Sequence, residues 1–329
     1  MVISASRRTD VPAYYSDWLM GRLDAGYCLV RNPYDARRST RVSLASEDVD
    51  YLVLWTRDPR PLVPRLRELD DRGIRSYAQM TIVGYPDAIE PERPSLDEAI
   101  DALRGLSEAI GPRRVLWRYD PVFVAQALEP DFHRRNFELI ASRLEGATSR
   151  VTFSLLDEYA GTASRLARSG YPGAVFGSEK LPRAAGPKGS CVALPRKGGA
   201  AGVARRELAD PAGDAAVVSA LPPEPYPELL ADLAAMAKAH GMTAFSCAEP
   251  YDLSSLGIEA GACVDAALAD SLWGLESKRG KASGQRPACR CAASVDIGAY
   301  GSCPRGCAYC YASRGRGALE ARGKEDESL

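Results

Sequence analysis

The chain has 329 residues, 46% of them hydrophobic and 26% charged, which supplies a large core and excludes global disorder. The formal net charge is −1, so the molecule as a whole has no electrostatic bias toward nucleic acid or an anionic membrane, although a local basic patch stays open. No apolar run approaches the roughly 20 residues that span a bilayer, and the opening MVISASRRTDVPAYY has no long apolar stretch of the signal-peptide kind, so a cytoplasmic protein without membrane partners is expected.

Short apolar runs recur along the chain, each followed by helical periodicity. Residues 2–6 (VISAS) read as a strand and 17–23 as the start of a helix. Residues 51–56 (YLVLWT) form a continuous apolar run, as expected of a strand buried on both faces. A helix follows over 62–71, ended by Gly73, and then a strand over 76–83 (SYAQMTIV). Ser95 can cap a helix running to Ile110, with Glu98 as its capping-box partner and Gly111-Pro112 as the stop. The pattern continues with a strand over 114–119, a helix over 131–144, a strand over 150–155, a helix over 227–240 and a strand over 243–247.

Strands and helices alternating in this way imply an α/β fold with a parallel sheet. A partial or complete (β/α) barrel is favoured over an open doubly wound sheet. Residues 183–224 break the pattern with GPKGS, RKGGAAG and LPPEP and read as an insertion, with Cys191 incidental and a lid the lesser alternative. The expected organisation is a barrel body over 1–250 and a cysteine-rich segment over 251–329 that completes it. Barrel chemistry sits at the C-terminal strand ends. Those ends are polar here: Arg7-Arg8-Thr9-Asp10, Thr56-Arg57-Asp58, Tyr119-Asp120, Asp157-Glu158 and Cys247-Ala248-Glu249. Any one of them alone reads as a solvated loop or cap; together they mark a site.

There are nine cysteines, an odd number, and only two histidines. In a reducing compartment such clustering points to metal rather than disulfides. Cys303, Cys307 and Cys310 crowd one short loop, SCPRGCAYCYAS, at C-x3-C-x2-C spacing. A 4Fe–4S cube takes one outside ligand per iron, so three thiolates leave an open iron that a small molecule can chelate. A zinc knuckle or unligated thiols is the bland alternative. Cys247, Cys263, Cys289 and Cys291 would suit a second, fully ligated site, either an iron–sulfur cluster or structural zinc; small buried residues is the alternative reading for Cys247 and Cys263.

The loop resembles the C-x3-C-x-aromatic-C signature of the radical S-adenosylmethionine (SAM) superfamily, and GSCPRGCAYCYA is similar to the cluster loop of spore photoproduct lyases. The resemblance implies a 4Fe–4S cluster on Cys303, Cys307 and Cys310, SAM on the open iron, and Tyr309 near the adenine. A wider resemblance, through ISASRRTDVPAYYSDW, CLVRNPY, VLWTRDP, WRYDPV, SLLDEY, SCAEPYDL and the cysteine loop, is to domain-of-unknown-function family 1848. That resemblance implies fold and metal and names no substrate.

A radical SAM cluster loop usually follows the first barrel strand, whereas this one lies at the far end of the chain. If 295–300 (VDIGAY) and a helix over 308–321 are that family's first unit, the chain is a circularly permuted radical SAM barrel and 2–6 is its second strand. Thr9, Asp10 and Arg7 would then lie where that superfamily holds the methionine amino group; a simple Arg8–Asp10 loop pair is the alternative.

Two functions follow as expectations. The first is a radical SAM-type enzyme of unknown substrate, reduced by a donor such as flavodoxin or ferredoxin. The second is a non-catalytic iron–sulfur or zinc-binding sensor. A nucleic-acid substrate, touching Tyr14, Tyr15, Trp18, Trp55, Trp117, Arg7, Arg8 and Arg57, is a minor reading, since aromatics in such elements are usually core.

Overall fold

The strand-and-helix alternation is realised in a computed structural model that describes residues 1–33, 35–177, 221–275, 280–282, 284–312 and 326–329. In chain order these form β1 (Val2–Ala5), α1 (Val11–Tyr14), α2 (Ser16–Ala25), β2 (Tyr27–Asn32), β3 (Asp35–Ser43), β4 (Tyr51–Thr56), α3 (Leu66–Asp71), β5 (Ser76–Thr81), α4 (Leu96–Ile110), β6 (Val115–Val122), α5 (Pro130–Leu144), β7 (Arg150–Leu155), α6 (Thr162–Arg168), α7 (Tyr226–Ala239), β8 (Thr243–Cys247), β9 (Glu259–Gly261), α8 (Ala266–Trp273) and β10 (Val295–Asp296). The capping box at α4 is formed as the sequence predicts: Ser95 Oγ accepts from the Glu98 N–H at 3.2 Å, and Glu98 Oε2 accepts from the Ser95 N–H at 2.9 Å.

Among the described residues the main sheet has eight strands in the order β10-β1-β4-β5-β6-β7-β8-β9, every neighbouring pair parallel. The two outer strands, β10 and β9, do not pair with each other. Of the two expected forms of barrel, the structure therefore has the partial one. The last strand lies beside the first, with Ile3 opposite Val295 and Ser4 opposite Asp296. That is the neighbour relation a permuted order requires.

Strand alternation divides the interior into two packed regions. Ile3, Leu52, Leu54, Ala78, Met80, Trp117, Val151 and Phe153 face helices α2 to α7 in the larger core. Val2, Tyr51, Val53, Tyr77 and Leu116 face the opposite way. That second face is covered by α8 and the cysteine-bearing segments, with Trp273 of α8 beside Tyr51 (ring centroids 5.9 Å apart).

Some expectations need correction. The strand expected over 295–300 ends at Asp296. Of the helix expected over 308–321, residues 308–312 form turns, and 313–321 lie outside the described residues. Most of the expected insertion, 183–220, and Cys191 with it, also lies outside them. The antiparallel β2–β3 hairpin, β9 and α8 were not anticipated.

Candidate functional site

β10 stops where its chain turns over the end of β1. The Asp296 carboxylate accepts from Ser4 Oγ (3.1 Å), Ser6 Oγ (2.6 Å), the Arg7 N–H (2.9 Å) and the Gly298 N–H (3.0 Å). One half-buried acceptor thus ties the last strand to the first. Only glycine allows the approach at 298, because a Cβ there would collide with the Ser6 side chain.

The loop beyond, 297–312, lies against residues that follow the C-terminal ends of the strands. Thr9 Oγ1 donates to Ala299 O at 2.9 Å and meets Ser302 Oγ. The Tyr15 hydroxyl donates to Ser302 O (2.7 Å), and Arg305 Nε donates to Asp10 Oδ2 (2.8 Å). The Ala308 N–H donates to Ile89 O at 2.9 Å, from the segment after β5. Arg165 of α6 donates to Ala308 O (2.8 Å) and Cys310 O (2.9 Å). The Tyr311 hydroxyl reaches Arg7 O at 3.1 Å. Gly306, at φ 68°, makes the left-handed turn that brings the chain back between Cys303 and Cys307.

Within this frame Cys307 is buried and Cys303 and Cys310 are half-buried. The three sulfurs lie within electrostatic reach of one another. Cys303 Sγ accepts from the backbone N–H groups of Asp10 and Arg305, and the Arg57 guanidinium lies near Cys307. Burial pushes the Cys307 thiol up to about 12. Among the described residues no three His, Cys, Asp or Glu side chains surround one point as a single ion requires. A cube imposes a different geometry, since each thiolate binds a different iron. Three thiols on one loop, with N–H donors and cations around them, fit that donor set.

Tyr309 is held from two sides. Its ring meets Tyr85 and Phe123, each at 6.3 Å between centroids. Its hydroxyl donates to Glu90 and accepts from Arg57, while Arg57 Nη1 pairs with Glu90 Oε1 at 2.7 Å. Burial keeps the phenol well above its ordinary pKa, so it remains a donor.

The other predicted site residues gather at the same rim, and most are already engaged. Asp10 Oδ1 caps α1 through the Ala13 N–H (3.2 Å), and Oδ2 accepts from the Arg57 N–H (3.0 Å) as well as from Arg305. Arg7 Nη2 donates to Ser294 Oγ at 3.1 Å, and its guanidinium lies 5.9 Å from the Trp55 ring centroid. Trp18 and Trp117 are fully buried in the helix-side core, so neither presents a face for base stacking.

The ends of β6, β7 and β8 carry a second polar group. Asp157 pairs with Arg286, and Glu249 Oε1 accepts from the Leu155 N–H at 3.0 Å. Burial pushes the Glu249 carboxyl up to about 8, with Arg286 opposing. Sequence reasoning missed Glu90, Asp296, Arg305, Arg165 and Arg286. Asp296 and Arg305 lie inside or beside the quoted cysteine motif, but their partners are nearly 300 residues away and leave no local signal.

Of the remaining thiols, Cys247 and Cys263 are joined as a disulfide with Cα atoms 6.6 Å apart, rather than standing as four free ligands with Cys289 and Cys291. Cys289 and Cys291 are buried thiols, hydrogen-bonded to each other.

No curated protein and no solved structure matched the chain. Among the described residues no helix is long and apolar enough to cross a membrane. The model of one family, described as Domain of unknown function (DUF1848), matches residues 2–182 and 205–312, most of the sheet and the whole cysteine loop, and the chain belongs to that family.

Proposed function

We propose that this chain is a radical SAM-type enzyme of the cytoplasm, in which Cys303, Cys307 and Cys310 hold a 4Fe–4S cluster and SAM completes it. The observation that carries the reading is where the three-thiol loop sits. It follows β10, which pairs with β1, and it is fastened to Thr9 and Asp10 just beyond the C-terminal end of β1. Parallel α/β folds place their chemistry at that end of the strands.

When bound, cluster and SAM together supply one-electron cleavage of a carbon–sulfur bond. The chain's own residues hold and orient. Thr9, Asp10 and Arg305 fix the loop, and Arg57 with Glu90 fixes Tyr309 beside the cysteines. On this reading Thr9, Asp10 and Arg7 serve SAM by placing the loop. Asp120, Asp157, Glu249 and Arg286 form the substrate side of the rim. The electron comes from a low-potential donor such as flavodoxin or ferredoxin.

The second reading is a non-catalytic iron–sulfur or zinc-binding sensor. It is favoured by the engagement of Asp10, whose acceptors are occupied by Ala13, Arg57 and Arg305. Anaerobic reconstitution with iron and sulfide, followed by dithionite and SAM, separates the two. The enzyme gives a brown protein that forms 5′-deoxyadenosine. A colourless zinc protein with no SAM turnover supports the sensor.

A further inference from the structure

We propose that Cys247, Cys263, Cys289 and Cys291 form an internal thiol–disulfide exchange site, in which Cys291 attacks the Cys247–Cys263 bond, Cys289 resolves the product, and a dithiol reductant acts on the chain through the 289–291 pair. The exchange is independent of the SAM chemistry proposed for Cys303, Cys307 and Cys310. The four residues come from the end of β8, the segment just after β9 and the segment before β10, and they share one buried region on the second face of the sheet. Two are joined as a disulfide, and two are thiols hydrogen-bonded to each other. A disulfide in a reducing compartment is usually catalytic or redox-sensing rather than structural.

The backbone holds Cys291 against the disulfide. Cys291 Sγ accepts from the Val264 N–H at 3.4 Å and from the N–H of Cys263 itself, and the Ala292 N–H donates to Val264 O at 2.9 Å. The Cys289 thiol, donating to Cys291, holds it below the ordinary thiol range, with the two N–H groups and the nearby Arg7 guanidinium acting in the same direction. The same hydrogen bond, with burial, keeps the proton on Cys289. Cys291 is thus the thiolate, which is the form that attacks a disulfide. Cys263 is prepared to leave. Arg118 Nη1 donates to its Sγ at 3.0 Å, and Arg118 is itself fixed by Gln79 Oε1 (2.8 Å) and by Asp120.

The exchange balances without an outside oxidant. The Cys291 thiolate bonds to Cys263 Sγ as the Cys247–Cys263 bond breaks, and Cys247 leaves with the electron pair. The Cys289 proton passes to Cys247. The Cys289 thiolate then attacks Cys291, and Cys263 leaves as a thiolate beside Arg118. One disulfide has moved, with no net change in electrons or protons. It now lies on a segment flanked by the exposed Pro287 and Arg290. A dithiol opens it by giving two electrons, is itself oxidised to a disulfide, and passes its two protons to the released sulfurs. Arg286 ties the exchange to the rim. It pairs with Asp157, its Nη2 reaches Cys247 O at 3.5 Å, and its carbonyl accepts from the Cys289 N–H at 2.9 Å.

The test uses the full chain isolated in air, without cluster reconstitution. It is exposed to dithiothreitol, quenched in acid at intervals, trapped with N-ethylmaleimide and mapped by mass spectrometry, which reads each sulfur separately and does not depend on SAM. A Cys289–Cys291 bond should appear as Cys247 and Cys263 become alkylated. Cys289→Ser, which cannot resolve the product, should accumulate a Cys263–Cys291 bond instead, and Cys291→Ser should lose both bonds and open Cys247–Cys263 more slowly. The proposal is overturned if Cys289 and Cys291 stay free thiols throughout the wild-type time course, if Cys291→Ser opens the disulfide at the wild-type rate, or if the air-isolated chain has no Cys247–Cys263 bond. Should either variant fail to fold, the wild-type time course decides alone.

Discussion

Arg305 Nε lies 2.8 Å from Asp10 Oδ2, with both side chains at most 7% exposed, although 295 residues separate them. This pair joins the cysteine loop to the end of the first strand. Removing one partner of a buried pair leaves an uncompensated charge, at a cost of about 3 kcal/mol. Arg305→Met should therefore lower unfolding stability by that order in a urea titration. The double variant Asp10→Asn with Arg305→Met should recover much of the loss. A single variant within about 0.5 kcal/mol of wild type would show that the pair does not hold the loop.

The Arg57–Glu90–Tyr309 cluster makes a comparative prediction. Tyr309→Phe removes one hydroxyl and leaves the ion pair intact, a loss of about 1 kcal/mol. Glu90→Gln leaves Arg57 without its carboxylate partner and should cost about 3 kcal/mol. Equal effects in parallel denaturation curves would contradict the geometry, in which Glu90 is 2% exposed and pairs with Arg57 at 2.7 Å.

Local signals made part of this legible. Strands β7 and β8 fall where the apolar runs place them, because each run is short, buried and bounded by turns. The α4 cap was readable from Ser95 and Glu98 alone. The β2–β3 hairpin was not, since DARRSTRVS is arginine-rich, with Arg37, Arg38 and Arg41 exposed, and lacks a clean apolar alternation. Helix α8 did carry a start signal that went unread: Asp265 Oδ1 accepts from the Leu268 N–H at 3.0 Å. At the site, the three thiols were legible from spacing, whereas the pairing of the last strand with the first was what the radical SAM resemblance implied. Glu90 was not, because it sits in the loop EPERPS and gains meaning only from Arg57 and Tyr309.

His133 gives a pH prediction. Its Nε2 donates to Phe123 O (2.9 Å), so Nδ1 accepts from the Tyr119 hydroxyl (3.0 Å). Burial holds its pKa down at about 4, against 6.5 for the ordinary group. As pH falls, the unfolded chain takes up the proton first. The stability contributed by neutral His133 is complete above about 6.5 and is lost toward pH 4, by up to about 3 kcal/mol. His133→Gln should flatten this limb of the stability–pH profile. An unchanged slope would mean that His133 is not buried as a neutral donor and acceptor.

Each of Cys303→Ala, Cys307→Ala and Cys310→Ala should remove about four iron atoms per chain after anaerobic reconstitution, since a cube lacking a ligand is not retained. Iron at the wild-type level in all three variants would remove the loop from the account.

The open iron is the central claim, and electron paramagnetic resonance of the reduced, reconstituted full chain tests it most directly. Adding SAM should shift the signal of the cluster held by Cys303, Cys307 and Cys310, and the shift should be absent from the Cys307→Ala variant. A reduced-cluster signal that SAM leaves unchanged in the wild-type chain would contradict the claim.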